Sequence, residues 1–126
     1  MMTLKISRDQ FFEAAHFLPN VADDHKCKKM HGHSYRCTIE LTGKAGMHSG
    51  MILDTAEIDK AWSYLHTQLD HQVLNEVEGL ENPTTENLVV FIHQKLFKVW
   101  GDNASVHKIA VTVRESPRST AFYDGA

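Results

Sequence analysis

Cysteine is scarce: Cys27 and Cys37 are the only two in 126 residues, too few for a disulfide framework and in settings too different to read as a pair. Both are expected as free thiols. Long apolar runs are missing as well. No stretch approaches the roughly 18 consecutive apolar residues that a membrane-spanning helix needs, and the N-terminus lacks the basic-then-apolar order of a secretory signal. A cytoplasmic protein without a membrane partner is therefore expected. Positive charge is not in excess either, and a formal net charge of −3 gives no general attraction to nucleic acid. No internal repeat is long enough for a solenoid.

What is present is the composition of an ordinary globular chain, 42% hydrophobic and 23% charged, with residues 1–126 expected as one domain around one core. From Leu4 to His16 the even positions carry Leu4, Ile6, Phe12, Ala14 and His16, an alternation that predicts a strand despite the polar pair Arg8 and Gln10. Residues 17–30, with Pro19, Asn20, Asp23 and Asp24, read as a loop. The period of two returns strongly afterwards: His31, His33, Tyr35, Cys37, Ile39 and Leu41 share one face of a second strand. Glycines 43, 46 and 50 mark a turn, and Asp54 with Glu57 three residues on has the pattern of a helix-opening capping box. Ile58, Trp62, Leu65 and Leu69 then predict an amphipathic helix to about Asp70. A second helix is expected after Pro83, capped by Thr84 or Thr85 and carrying Leu88, Ile92, Leu96 and Trp100 up to Gly101. Ile109, Val111, Val113 and Glu115 alternate along a further strand, and Thr120 to Tyr123 makes its partner. The order strand, strand, helix, helix, strand, strand (ββααββ) implies an α+β fold, a four-stranded antiparallel sheet with two helices on one face.

Nine histidines are the compositional anomaly. His31 and His33, two apart on a strand, project to the same side, and His16 ends the neighbouring strand on its own apolar face. An antiparallel pairing of the two strands brings the three imidazoles together. Three nitrogen ligands suit Zn2+ and leave a coordination position open, as catalytic rather than structural zinc sites do; any one of these histidines alone would read as a satisfied core residue, and it is the convergence of three that points to a metal. Cys27 lies four residues before His31, beside Lys26, Lys28 and Lys29, a setting that favours the thiolate, the form that acts as base or nucleophile. Cys37 belongs to the core instead. Asp70 followed by His71 offers a carboxylate–imidazole couple able to relay a proton, and equally a histidine favoured by the negative end of a helix. Glu115, closing an aliphatic face, needs a partner: a basic side chain, or the paired N–H donors of an amino-heterocycle.

The run Cys27-Lys28-Lys29-Met30-His31-Gly32-His33, preceded by Phe12-Glu13-Ala14-Ala15-His16 and followed by Leu69-Asp70-His71, by Glu81-Asn82-Pro83-Thr84-Thr85-Glu86-Asn87-Leu88 and by Val113-Arg114-Glu115-Ser116, closely resembles the 6-pyruvoyltetrahydropterin synthase and 6-carboxytetrahydropterin synthase family. The resemblance spans nearly the whole chain. It implies a tunnelling fold, in which subunits join sheet edges into a barrel and stack as a homo-oligomer, a hexamer built as a dimer of trimers. It further implies that His16, His31 and His33 bind Zn2+, that Cys27 abstracts a proton, that Asp70 and His71 form the relay, and that Glu115 anchors a pterin ring. The family's pockets lie between subunits, with Thr84, Thr85 and Glu86 expected to contribute to the ring pocket. The substrate implied is 7,8-dihydroneopterin triphosphate, whose triphosphate the three lysines would attract, if they are more than a solvated loop. Two products share the early chemistry, one retaining the side chain as 6-pyruvoyl and one cleaving it to a 6-carboxylate with release of acetaldehyde. The compact chain, its short loops and Asp54 at the first helix are more similar to the bacterial carboxylate-forming members, whose product leads to queuosine. A zinc-dependent binding protein without turnover is the reading from another class, and Cys27 argues against it.

Overall fold

Strand alternation and helical spacing resolve into two layers. A computed structural model describes residues 2–126 of the chain, which form β1 (Leu4–His16), β2 (His31–Gly43), α1 (Thr55–Leu69), β3 (Gln72–Val73), α2 (Thr85–Trp100), β4 (Val106–Ser116) and β5 (Ser119–Tyr123). The strands make one sheet in the order β3-β1-β2-β4-β5. β1, β2, β4 and β5 pair antiparallel, as their alternation predicts, while β3 runs parallel to β1 through Ala14 opposite Gln72 and Ala15 opposite Val73. The sheet is thus five-stranded and mixed, which corrects the four-stranded antiparallel expectation. A two-residue strand carries no period for a sequence to display. It exists because the chain leaves α1 through His71, at a left-handed φ of 57°, and is turned back along β1.

The even positions of β1 and the odd positions of β2 and β4 face the helices, and Phe12, Ala14 and His16, then Tyr35, Cys37, Ile39 and Leu41, and Ile109, Val111 and Val113 are buried on that face. Phe12 stacks on Tyr35 with centroids 4.7 Å apart and planes 6° from parallel, and Trp62 of α1 closes on Phe12 at 5.8 Å. Cys37 lies fully buried in this core, where loss of solvation pushes its thiol pKa far up. The polar interruption at Arg8 and Gln10 has its explanation in α1. Arg8 donates from Nε and Nη2 to the two carboxylate oxygens of Asp59 at 3.0 and 2.7 Å, and Gln10 Nε2 donates to Oδ1 at 2.7 Å. Two polar residues on the helix-facing side of β1 are thus matched to one acid at the sheet's edge.

The helix signals are mostly where the sequence puts them. Asp54 caps α1 by accepting the Ala56 N–H at 2.9 Å, so Asp54 is the cap, although no return bond from the Glu57 side chain forms among the described residues. Thr84 caps α2, its hydroxyl accepting the Asn87 N–H at 3.1 Å. Gly43 ends β2 at a register shift opposite β4, and a Cβ there would collide with the Ser105 carbonyl and crowd Ile52 Cγ2 at 3.1 Å. The close backbone approach, not a positive φ, is what requires glycine. Gly43→Ala is expected to destabilise the fold by about 1–3 kcal/mol, the usual cost of an overpacked site, read as a lowered denaturation midpoint. An unchanged midpoint would mean that the bulge can open freely.

Candidate metal centre and active site

The antiparallel register sets His16 directly opposite His31, and His33 two residues further along β2. Their rings converge, with centroids 4.6 Å apart for His16 and His31 and 5.0 Å for each of the other two pairs. Each imidazole can offer one nitrogen such that all three lie within 4.8 Å of one another. His16 Nδ1–H donates to the Pro83 carbonyl and His31 Nδ1–H to the Lys29 carbonyl, both at 2.8 Å. These bonds fix the tautomer and leave the Nε2 lone pairs free, the arrangement that backbone carbonyls impose on metal-binding histidines. Nε2 of His16 and Nε2 of His33 are buried with no hydrogen-bond partner. Burial of a bare acceptor nitrogen costs about 1–3 kcal/mol, so two beside each other in a cluster of three imidazoles indicate that something else satisfies them. Desolvation, ahead of all other causes, lowers the pKa of both His16 and His33 and keeps them in the neutral, ligating form. The donor set fits a divalent ion of the zinc type.

Tyr35 underlies the cluster. Its hydroxyl is 3.4 Å from His16 Nδ1 and its ring meets the His33 ring edge-on at 5.5 Å. Burial raises the pKa of the phenol, which therefore stays a neutral wall of the site. On the open side, Glu115 Oε1 is 3.9 Å from His33 Nε2, and Thr85 Oγ1 donates to Glu115 Oε2 at 2.7 Å. Glu115 and Thr85 therefore join the histidines. Thr84 does not, since its hydroxyl is engaged as the α2 cap, and Glu86 is exposed in the first turn of α2. Cys27 sits half-buried in a single 3₁₀ turn, Lys26–Lys28, with its N–H donated to His25 Nδ1 at 3.0 Å and its carbonyl accepting from Leu18 N–H at 2.8 Å. It lies outside the group of converging ligand atoms. Of the three lysines, Lys28 is turned inward, its ammonium donating to the carbonyls of Pro19 at 2.7 Å and Val21 at 3.3 Å. Lys26 and Lys29 remain exposed.

Asp70 and His71 form the couple that their adjacency suggests: His71 Nδ1 donates to Asp70 Oδ2 at 2.8 Å, while Glu13 N–H donates to Oδ1 at 2.9 Å. The Glu13 amide, followed by the His71 hydrogen bond, holds the Asp70 carboxyl below the usual carboxylate range. The bond to Asp70 raises the His71 imidazole above its usual value. Stability from the raised histidine is present below its unfolded pKa and lost as pH rises through the folded one, and stability from the depressed carboxylate is lost only as pH falls through its folded value. The couple is therefore strongest between those limits. His71 is exposed, and together with His33, Glu13 and Ser34 it lines an open groove of about 460 Å3 beside β3.

Three contributors escaped the sequence reading. The Pro83 carbonyl and the Tyr35 hydroxyl have no sequence signal. The role of Asn75 appears only in three dimensions: it accepts the Phe17 N–H on Oδ1 at 3.0 Å and donates from Nδ2 to the Phe17 carbonyl at 2.8 Å. The side chain stands in for a paired strand next to His16.

Comparison with known proteins follows this geometry. Residues 5–126 match the family model described as 6-pyruvoyl tetrahydropterin synthase. A 6-carboxy-5,6,7,8-tetrahydropterin synthase of a Synechocystis strain is 35% identical over 124 residues, covering 94% of this chain and 91% of the relative. A 6-pyruvoyl tetrahydrobiopterin synthase of Drosophila melanogaster is 30% identical over 134 residues, covering 95% and 79%. The solved structure of Caenorhabditis elegans 6-pyruvoyl tetrahydropterin synthase superposes with a TM-score of 0.88 at 29% identity, covering 100% of this chain and 98% of the other.

Because Asn75 fixes the backbone of Phe17, the residue after His16, Asn75→Ala is expected to weaken the uptake of a divalent ion such as Zn2+ by the three histidines by about 10-fold, the lower end of what disturbing a ligand's outer support costs, measured by competition with a chromophoric chelator. Unaltered affinity would make Asn75 a purely structural link.

Proposed function

The chain belongs to the 6-pyruvoyl tetrahydropterin synthase family, and from that membership we propose that it is a zinc-dependent 6-carboxy-5,6,7,8-tetrahydropterin synthase. Its substrates are 7,8-dihydroneopterin triphosphate and one water molecule, and its products are the 6-carboxylate, acetaldehyde and triphosphate. Residues 1–126 act as one pterin-synthase domain in the cytoplasm, and the product enters queuosine synthesis. The observation that carries the reading is the convergence of His16, His31 and His33, with buried, partnerless Nε2 atoms on two of them.

Zinc held by these three residues would polarise the substrate's side-chain hydroxyls and acidify the adjoining C–H and O–H bonds. Cys27, half-buried and four residues before the first β2 ligand, takes the proton from the side-chain carbon. His71, oriented through Nδ1 by Asp70, delivers or removes the second proton from its Nε2 side. Glu115 accepts the N–H donors of the pterin ring, held in position by the Thr85 hydroxyl on Oε2. Thr84 and Glu86 lie at the same helix end and help shape the ring pocket. Lys26 and Lys29 are the cations left free to meet the triphosphate.

The groove lined by His71 opens outward, and β1 from Leu4 to Phe12 and the whole of β5 present unpaired edges among the described residues. Exposed edges of this length invite strand pairing. They support a ring of subunits joined edge to edge, stacked as a dimer of trimers, in which the relay of one subunit faces the metal of the next.

Retention of the side chain as 6-pyruvoyl is the second reading, favoured by the Drosophila and Caenorhabditis relatives. Incubation with dihydroneopterin triphosphate decides between them: acetaldehyde and the 6-carboxylate are expected, and a pyruvoyl product without acetaldehyde would contradict the carboxylate reading. Cys27→Ala is expected to keep bound zinc while turnover falls at least 100-fold, the scale of losing a positioned base. Turnover that survives the change would remove the thiol from the chemistry.

A further inference from the structure

Outside the residues already assigned, one titratable side chain points into the machinery. His66 lies one helical turn before Asp70, so the two share a face of α1, and His66 Nε2 stands 3.6 Å from Asp70 Oδ2. That oxygen is the one His71 Nδ1 bonds at 2.8 Å. The other, Oδ1, is committed to the Glu13 N–H. The carboxylate therefore cannot turn to give each imidazole an oxygen of its own.

We propose that His66 is a positioning residue of the Asp70–His71 couple, sharing Asp70 Oδ2 with His71 and setting how tightly His71 holds its proton. The inference rests on the relay role proposed above for that couple. Its electrostatics follow from the placement. Asp70 closes α1 at the negative end of the helix dipole, where a carboxylate is disfavoured and a cation is favoured, and His66 is the basic residue of that last turn. The charged groups facing the pair are Asp70, Glu13 from β1 and the two imidazoles themselves. On the other side of His66 is the Trp62 ring, 6.5 Å away. Positive charge at His66 draws on the same Asp70 oxygen that His71 uses and repels the proton on His71. His71 then releases its proton more readily than it would if Asp70 served it alone.

His66 is half exposed, so its replacement opens no cavity. In His66→Gln, the His71 titration followed by NMR on the zinc-loaded protein is expected to rise by roughly half a pH unit, the scale of one neighbouring charge near the surface. The limb of the kcat–pH profile that reports His71 should move upward by the same amount with KM unchanged. In His66→Arg, which keeps the positive charge at every pH, His71 should return to the wild-type value or below. A His71 titration identical in wild type and His66→Gln overturns the proposal, whatever the activity. A shifted titration with an unmoved kcat–pH profile supports the sharing of Asp70 and overturns the relay role instead.

Discussion

The pairing register of two strands is the constraint on which everything else depends. His16 faces His31 because β1 and β2 pair from Leu4 opposite Gly43 to His16 opposite His31 without interruption. Since side chains alternate, a slip by one residue would turn His31 and His33 to the opposite face and bury the polar set Ser34, Arg36 and Thr38. The three-histidine cluster is therefore held by the same apolar face that builds the core. Phe12, Tyr35, Cys37 and Ile39 fix the register further up the strands, and the histidines occupy the last positions of that face, where it meets the loop bearing Cys27 and the carbonyl of Pro83.

A second constraint ties the Asp70–His71 couple to the same strand. The segment from Asp70 to Asn75 runs along β1 from Glu13 to Phe17, bonded in turn by Asp70 Oδ1 to Glu13 N–H, by His71 N–H to Glu13 O, by β3, and by the Asn75 amide to Phe17. His16 and the couple Asp70–His71 are thus held by adjoining parts of one short pairing. Left-handed backbone at His71 is uncommon for a residue with a Cβ, and it is what turns the chain from the end of α1 into this alignment.

The main strands, both helices, their caps and the convergence of the three histidines were readable in the sequence because each follows from periodicity or from a local polar residue with a single local task. Cys37 was separable from Cys27 by face alone. What was not readable arises from contacts made across long stretches of chain. Two residues of β3 have no period. Arg8 and Gln10 looked like errors in an apolar face until Asp59, on a helix some fifty residues later, supplied their partner. Lys28 counted as a surface cation, yet its ammonium closes the loop of which it is part. Thr84 and Thr85 are adjacent and alike in sequence, and only the helix axis decides that one caps α2 while the other reaches Glu115.

The central claim is that three imidazoles, and no thiolate, hold a zinc ion with a position left for substrate. Zinc-edge X-ray absorption of the purified protein reads this directly. Three imidazole nitrogens and a further light atom at about 2.0–2.1 Å are expected around the metal. A sulfur at about 2.3 Å, or fewer than three imidazoles, would contradict it.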